Sequence, residues 1–175
     1  GAERFVEAHL KALEKASLRI ESPSLLEVPD RIEEVLTALR NERKRTEALE
    51  AQLLRKDAES LLAQVVRVDG ISVISARVSA SSMERLRETG DFLKEKIGSG
   101  VIVLGAVLDD SPRFLAMVTP DLVGNGFLAG KFVTHGAGGA GGGGGGKPEM
   151  AQAGGRDKRK MDEALRAVPR LIGKK

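Results

Sequence analysis

The chain has 175 residues, with 28 Lys and Arg against 25 Asp and Glu, 41% apolar residues, two His and no Cys, Trp or Tyr; this length holds one domain, or a small one with an appendage. The absence of Cys excludes disulfides and thiolate metal sites, and His9 and His135 are too few for a zinc cage. No apolar run approaches the roughly 20 residues that span a bilayer, and the start at Gly1-Ala2-Glu3-Arg4 has neither Met nor signal-peptide character, so the expectation is a soluble, cytoplasmic piece of a longer polypeptide.

Phe5, Ala12, Leu13, Ala16 and Ile20 recur at spacings of three and four, which predicts an amphipathic helix that Glu21-Ser22-Pro23-Ser24 breaks. His9 beside this stripe has no ligand-type residue at a matching spacing and is assigned no chemistry. Pro29 suits the first turn of a second helix, and Asp30, Glu33 and Glu34 complement its dipole. With no Gly or Pro from Asp30 to Asp69, that helix is expected to run to about Gln64. Its apolar stripes, among them Ile32, Val35, Leu36, Leu39, Leu49 and Leu53, are too interrupted for a long coiled coil and need the first helix, the globular part or another chain to cover them.

After Asp69-Gly70 the period changes. Residues Ile71 to Val78 read as a strand, and Ser81 with Glu84 matches a capping box ahead of a helix carrying Met83, Leu86, Leu93 and Ile97. Residues Val101 to Val107 are apolar throughout, as in a strand buried on both faces. Asp109-Asp110-Ser111-Pro112 reads as a turn rather than a metal site, with Arg113 to Thr119 as the returning strand. Pro120 and Asp121 begin a further short helix with Leu128 and Phe132 inward. Asp157 caps a last helix that turns Met161, Leu165 and Val168 inside. The fold class expected is α/β (α+β): a long helical hairpin over residues 1–68, then a small globular domain over 69–175 with a mixed sheet flanked by helices.

From Gly124 to Gly155, 14 of 32 residues are glycine, and Gly141 to Gly146 is an unbroken run. A linker is one reading of such a composition. A phosphate loop is a second: Gly141 and Gly146 with Lys147 satisfy G-x-x-x-x-G-K, but Pro148 stands where magnesium needs Ser or Thr and no apolar strand precedes, so nucleotide hydrolysis is rejected. The dinucleotide match of Gly136, Gly138 and Gly141 also lacks its strand and helix. A third reading is an ordered stretch where missing side chains let another backbone or molecule approach. Residues Lys147 to Gly155 favour it, mixing rigid, apolar and amide residues as Gly/Ser linkers do not.

Charge is uneven along the chain. Residues 1–69 carry 12 basic and 14 acidic residues, 70–146 carry 7 of each, and Lys147 to Lys175 carry 9 against 4. A local basic patch of this kind, rather than overall charge, attracts a phosphate backbone. Arg156, Lys158, Arg159 and Lys160 crowd the start of the last helix against its dipole, which suggests an anion there.

Gly141 to Gly146 followed by Lys147-Pro148-Glu149-Met150-Ala151-Gln152-Ala153-Gly154-Gly155 and a helix with Asp162, Glu163, Ala164 and Leu165 resembles the carboxy-terminal domain of alanyl-tRNA synthetase. The motif occurs more loosely in the domain that accompanies DHH-type phosphoesterases. The chain is more glycine-rich over residues 135–140 than that resemblance leads one to expect. The resemblance implies a non-catalytic fragment, without the ligase core or the editing domain, that binds tRNA(Ala) at its elbow, supports a homodimer and couples aminoacylation to editing. No catalytic residue, metal or cofactor is expected in it. The tRNA-binding residues it implies are Gly141, Gly142, Gly143, Gly144, Gly145, Gly146, Lys147, Gln152, Gly154, Gly155, Arg156, Lys158, Arg159 and Lys160. The alternatives are an oligomerisation stalk with a glycine spacer, or an accessory nucleic-acid-binding domain of a phosphoesterase.

Overall fold

A computed structural model of the chain describes residues 1–139 and 141–173. Ala140, Lys174 and Lys175 lie outside the described residues, so the basic carboxy-terminal segment is seen only to Gly173. The chain divides into two compact units, Gly1–Glu50 and Ala51–Lys175.

In the first unit, α1 (Ala2–Arg19) ends where Ser22 donates its backbone N–H to the Ser17 carbonyl. The Arg31 guanidinium then donates to the Ile20 carbonyl at 3.0 Å, tying the turn to the start of α2 (Val28–Leu62). His9 is exposed, its ring 4.1 Å from that of Phe5 and its Nδ1 2.7 Å from the Phe5 carbonyl oxygen. The 35 residues of α2 span about 52 Å at 1.5 Å per residue. Ile32, Val35, Leu36 and Leu39 stay exposed, as do Phe5, Val6 and Leu10 of α1.

The last turns of α2 belong to the second unit. Ala58 and Leu61 are buried beside Leu86 and Leu93, within the compact unit that starts at Ala51. A short strand that the periodicity does not announce, β1 (Val66–Val68), pairs antiparallel with β2 (Ile71–Arg77) through Asp69 and Gly70, both at positive φ. That is the geometry a two-residue hairpin with right-handed twist demands. Helix α3 (Met83–Ile97) then crosses over to β3 (Gly100–Leu108), which lies parallel to β2. Its cap is Ser82, whose hydroxyl accepts from the Arg85 backbone N–H, one residue beyond the Ser81 expected.

Asp109 and Asp110, at φ 48° and 61°, make the tight turn to β4 (Ser111–Val118). The single helix expected after Pro120 is two: α4 (Pro120–Gly124) and α5 (Ala129–Gly139), separated at Gly126, whose φ of 89° no helix accommodates. Two further strands follow, β5 (Gly143–Lys147) and β6 (Met150–Gly154), then a short 3₁₀ turn (Lys158–Lys160) and α6 (Met161–Ile172).

The sheet order is β1-β2-β3-β4-β6-β5, with β2 and β3 parallel and the rest antiparallel. Strand β3 is central and supplies both faces. Val101 and Val103 pack with Phe114, Phe132, Val133, Met161 and Leu165 under α5 and α6. Ile102 and Leu104 pack with Leu115, Met117, Leu86 and Leu93 under α3. No described helix is long and apolar enough to cross a membrane.

Candidate nucleic-acid interface

The glycine run is a strand. Gly143 to Lys147 pair residue by residue with Gly154 back to Met150, and because β6 is occupied on its other side by β4, β5 is the edge of the sheet. Beyond the β4–β6 ladder, four backbone hydrogen bonds hold the ends of the hairpin. At its turn the Pro148 carbonyl accepts from the Ala129 N–H at 2.8 Å and the Glu149 carbonyl from the Val118 N–H at 2.9 Å. At its open end Gly142 N–H donates to the Ala137 carbonyl at 2.7 Å and Gly155 N–H to the Pro112 carbonyl at 2.9 Å. An unstructured spacer is therefore not what Gly141 to Gly146 form, and the phosphate-loop and dinucleotide readings have no strand-loop-helix here to support them: Gly136 and Gly138 lie inside α5.

The six glycines are not equivalent. Gly141 makes the turn out of α5 at φ 71°. A Cβ on Gly142 would stand 1.8 Å from the Gly154 carbonyl oxygen, one on Gly144 2.2 Å from that of Gln152, and one on Gly146 2.4 Å from that of Met150. Real side chains do not approach backbone so closely, so these positions are glycine because β5 closes on β6 on the α5 side, where Ala151 and Ala153 join the core. Gly143 and Gly145 are different: a Cβ on either meets nothing within 4 Å, and neither has a positive φ. The fold makes no demand on them.

The pairing puts Arg113, Gly154 and Gly143 in one row across the sheet, Leu115, Gln152 and Gly145 in the next, and Met117, Met150 and Lys147 in the third, all on the face away from α5. Helix α3 covers Leu115 and Met117 there, its Gly90 closing against both. Arg113 is exposed and reaches over its bare neighbour, its guanidinium Nη1 2.7 Å from where a Cβ on Gly154 would sit. Sequence reasoning misses Arg113: it lies 41 positions from Gly154, and only the β4–β6 register brings the two together.

The cations predicted as one patch are distributed. Lys147 lies at the turn end of the hairpin, four strand residues or roughly 13 Å from the Gly143–Gly154 end. Arg156 lies at that other end, its Cβ 4.0 Å from where one on Gly141 would be. Lys158 pairs with Asp110 of the β3–β4 turn, and Arg159 pairs with Asp157 at 3.1 Å. The Asp157 carboxylate also accepts from the Arg159 backbone N–H at 3.0 Å, capping the 3₁₀ turn. The Arg159 side chain first, and that N–H second, hold the Asp157 carboxyl below its usual 3.8. Part of the anionic compensation expected at this helix start thus comes from the chain's own carboxylates. Lys160 lies with His135 and Glu163 on an open groove of about 450 Å³ between α5 and α6. Among the described residues no group of three or more His, Asp or Glu is placed to hold a metal.

Known proteins resemble the chain in sequence and in fold. The DHHA1 domain family matches residues 70–174. An alanine–tRNA ligase from Dehalococcoides mccartyi is 45% identical over 98% of the chain, and one from Roseiflexus is 41% identical over 98%. The chain spans only about a fifth of the length of these relatives. The crystal structure of the C-Ala domain from Aquifex aeolicus alanyl-tRNA synthetase shares the fold, with a TM-score of 0.57 at 21% identity, covering 62% of this chain and 97% of that one. With a six-stranded sheet closed by a tethered glycine edge, and with matches over nearly its whole length to the ligases, the chain belongs to the DHHA1 domain family.

Proposed function

We propose that this chain is a non-catalytic module of an alanine–tRNA ligase that binds tRNA(Ala) at its elbow, supports dimerisation and helps couple aminoacylation to editing. The observation that carries the RNA reading is the edge strand Gly143–Lys147: exposed along its whole length, free of side chains at four of five positions, with Lys147 as its last residue and Arg156 beside its other end. Natural proteins guard sheet edges with charge, proline or a covering element. Here Lys147 and Pro148 guard only one end.

An antiparallel edge directs alternate N–H groups outward, and these suit phosphate and 2′-hydroxyl oxygens. Folded RNA is recognised largely through such groups and its shape. Lys158 and Arg159 are half or more exposed in their ion pairs, so those pairs are weak in water and exchange readily for phosphate. Gln152 adds an amide that both donates and accepts. The relatives are alanine–tRNA ligases, and that this chain serves as a non-catalytic part of such an enzyme belongs to the proposal.

The test is affinity for tRNA(Ala) as a function of salt. Binding weakens steeply as salt rises, with about one condensed cation released per neutralised phosphate. Replacing Lys158, Arg159 and Lys160 together with Ala lowers the slope by about one for each cation that meets phosphate. An unchanged slope removes these residues from the interface, and absence of binding in dilute buffer rejects the reading.

Dimerisation rests on a separate observation. Ile32, Val35, Leu36 and Leu39 of α2 are 40–46% exposed, and such a stripe on a helix this long needs a cover. Sedimentation of the chain at increasing concentration tests it: Leu36→Glu with Leu39→Glu leaves a monomer if this stripe is the contact.

A further inference from the structure

We infer that the sheet face of β5 and β6 turned away from α5 seats flat, exposed bases of the folded RNA, and that Arg113 is the residue that stacks on them. This rests on the RNA reading above and assigns the contact to one face and one unassigned side chain. The nine positions of the three paired rows on this face include two cations, Arg113 and Lys147, and no carboxylate. Its charge therefore suits a nucleic acid.

The relief suits bases rather than a side-chain-rich protein surface. Beyond Gln152 and Gly154 the sheet is bare, since Gly143 and Gly145 project nothing and no neighbour lies within 4 Å of where their Cβ atoms would be. Because α3 covers Leu115 and Met117, the open part of this face is the β6–β5 pair, about 5 Å across one strand spacing, with Arg113 exposed on its β4 side. Because packing, turns and strain explain the other glycines of the run but not these two, their bareness serves something that comes from outside the chain.

Base stacking ordinarily uses aromatic rings, and none is on this face: Phe114 and Phe132 are in the core, Phe92 is on α3, Phe127 packs beside the core and Phe5 is on α1. A guanidinium plane is the other side chain on which bases stack. No hydrogen bond or ion pair among the described residues fixes that of Arg113. Gly154 leaves room beneath it, and Gln152, one row away, offers hydrogen bonds to a base edge.

The experiment compares the 175-residue chain with four variants for melting temperature and for tRNA(Ala) affinity across a salt series. Gly143→Ala with Gly145→Ala keeps or raises the melting temperature and weakens binding roughly ten-fold, because the added methyls lift the bases. Gly144→Ala, the control, lowers the melting temperature. Arg113→Ala and Arg113→Lys both weaken binding roughly ten-fold with the salt slope unchanged, as loss of a stacking plane requires. Full affinity in the Gly143/Gly145 variant and in Arg113→Ala overturns the inference while leaving RNA binding intact. Rescue by Arg113→Lys, with a slope lowered by one in Arg113→Ala, also overturns it, since Arg113 would then be a phosphate contact. Failure of the unaltered chain to bind tRNA overturns the RNA reading itself.

Discussion

Strands β3 and β5 belong to one sheet and share almost nothing else. Strand β3 is apolar at every position but Gly100 and Gly105 and buried over Gly100 to Ala106 and at Val107 and Leu108 at least in part; β5 has no apolar side chain and is exposed throughout. The first is specified by what its side chains bury on two faces. The second is specified by what its neighbours hold in place and by what two of its glycines, Gly144 and Gly146, omit. A sheet can therefore carry a strand with no side-chain information of its own, provided that its partner strand and its ends are fixed elsewhere.

That contrast can be broken at either end. The largest effect is expected in the centre: Phe114→Ala, beside β3 and fully buried, opens a cavity and costs about 3–5 kcal/mol in chemical denaturation. At the edge, Gly144→Ala forces a methyl against the Gln152 carbonyl and the Ala153 side chain and costs about 1–3 kcal/mol, with the loss confined to amide-exchange protection of β5 and β6 if the edge yields separately. Ser82→Ala removes the α3 cap and costs about 1 kcal/mol, read from the same denaturation curves.

The smallest effect is the pH dependence of the Asp157 cap. Its folded carboxyl titrates below the usual 3.8, so its contribution is complete above about pH 3.8 and is lost as pH falls through the lowered value. The stability difference between the chain and Asp157→Ala is accordingly flat from neutral pH down to that point and shrinks below it. Asp121 follows the same sign, held low by Ser99 and then Thr119, and an Asp121→Ala series run in parallel separates the two.

The same contrast explains what the sequence reveals. Helix α1, most of α2, α3, α6 and strands β2 to β4 announce themselves because burial imposes a period on apolar residues. Strand β1 is too short to show one. The division of α4 from α5 turns on the backbone angle of Gly126, and nothing in the letters Gly124-Asn125-Gly126 selects a break over a weak helix. Strand β5 has no side chains from which a period could be read. Of the candidate site, the glycines and cations are visible as composition, whereas the inequality of Gly143 and Gly144 is not, because it depends on the side of β6 each one faces. Arg113 is hidden for a related reason: sheet register places it, across a separation of 41 residues that includes two helices.

The tethers on the Pro148 and Glu149 carbonyls have one more consequence. Glycine surrenders more backbone freedom on ordering than any other residue, and a loose run of six would incur that loss at each encounter with a ligand. With the turn fastened to Ala129 and Val118, and Gly142 and Gly155 held at the opposite end, the loss falls within folding, where the core offsets it. On the RNA reading proposed above, the hairpin would meet its ligand already in shape, and complex formation would be limited by collision and orientation rather than by rearrangement of the strand.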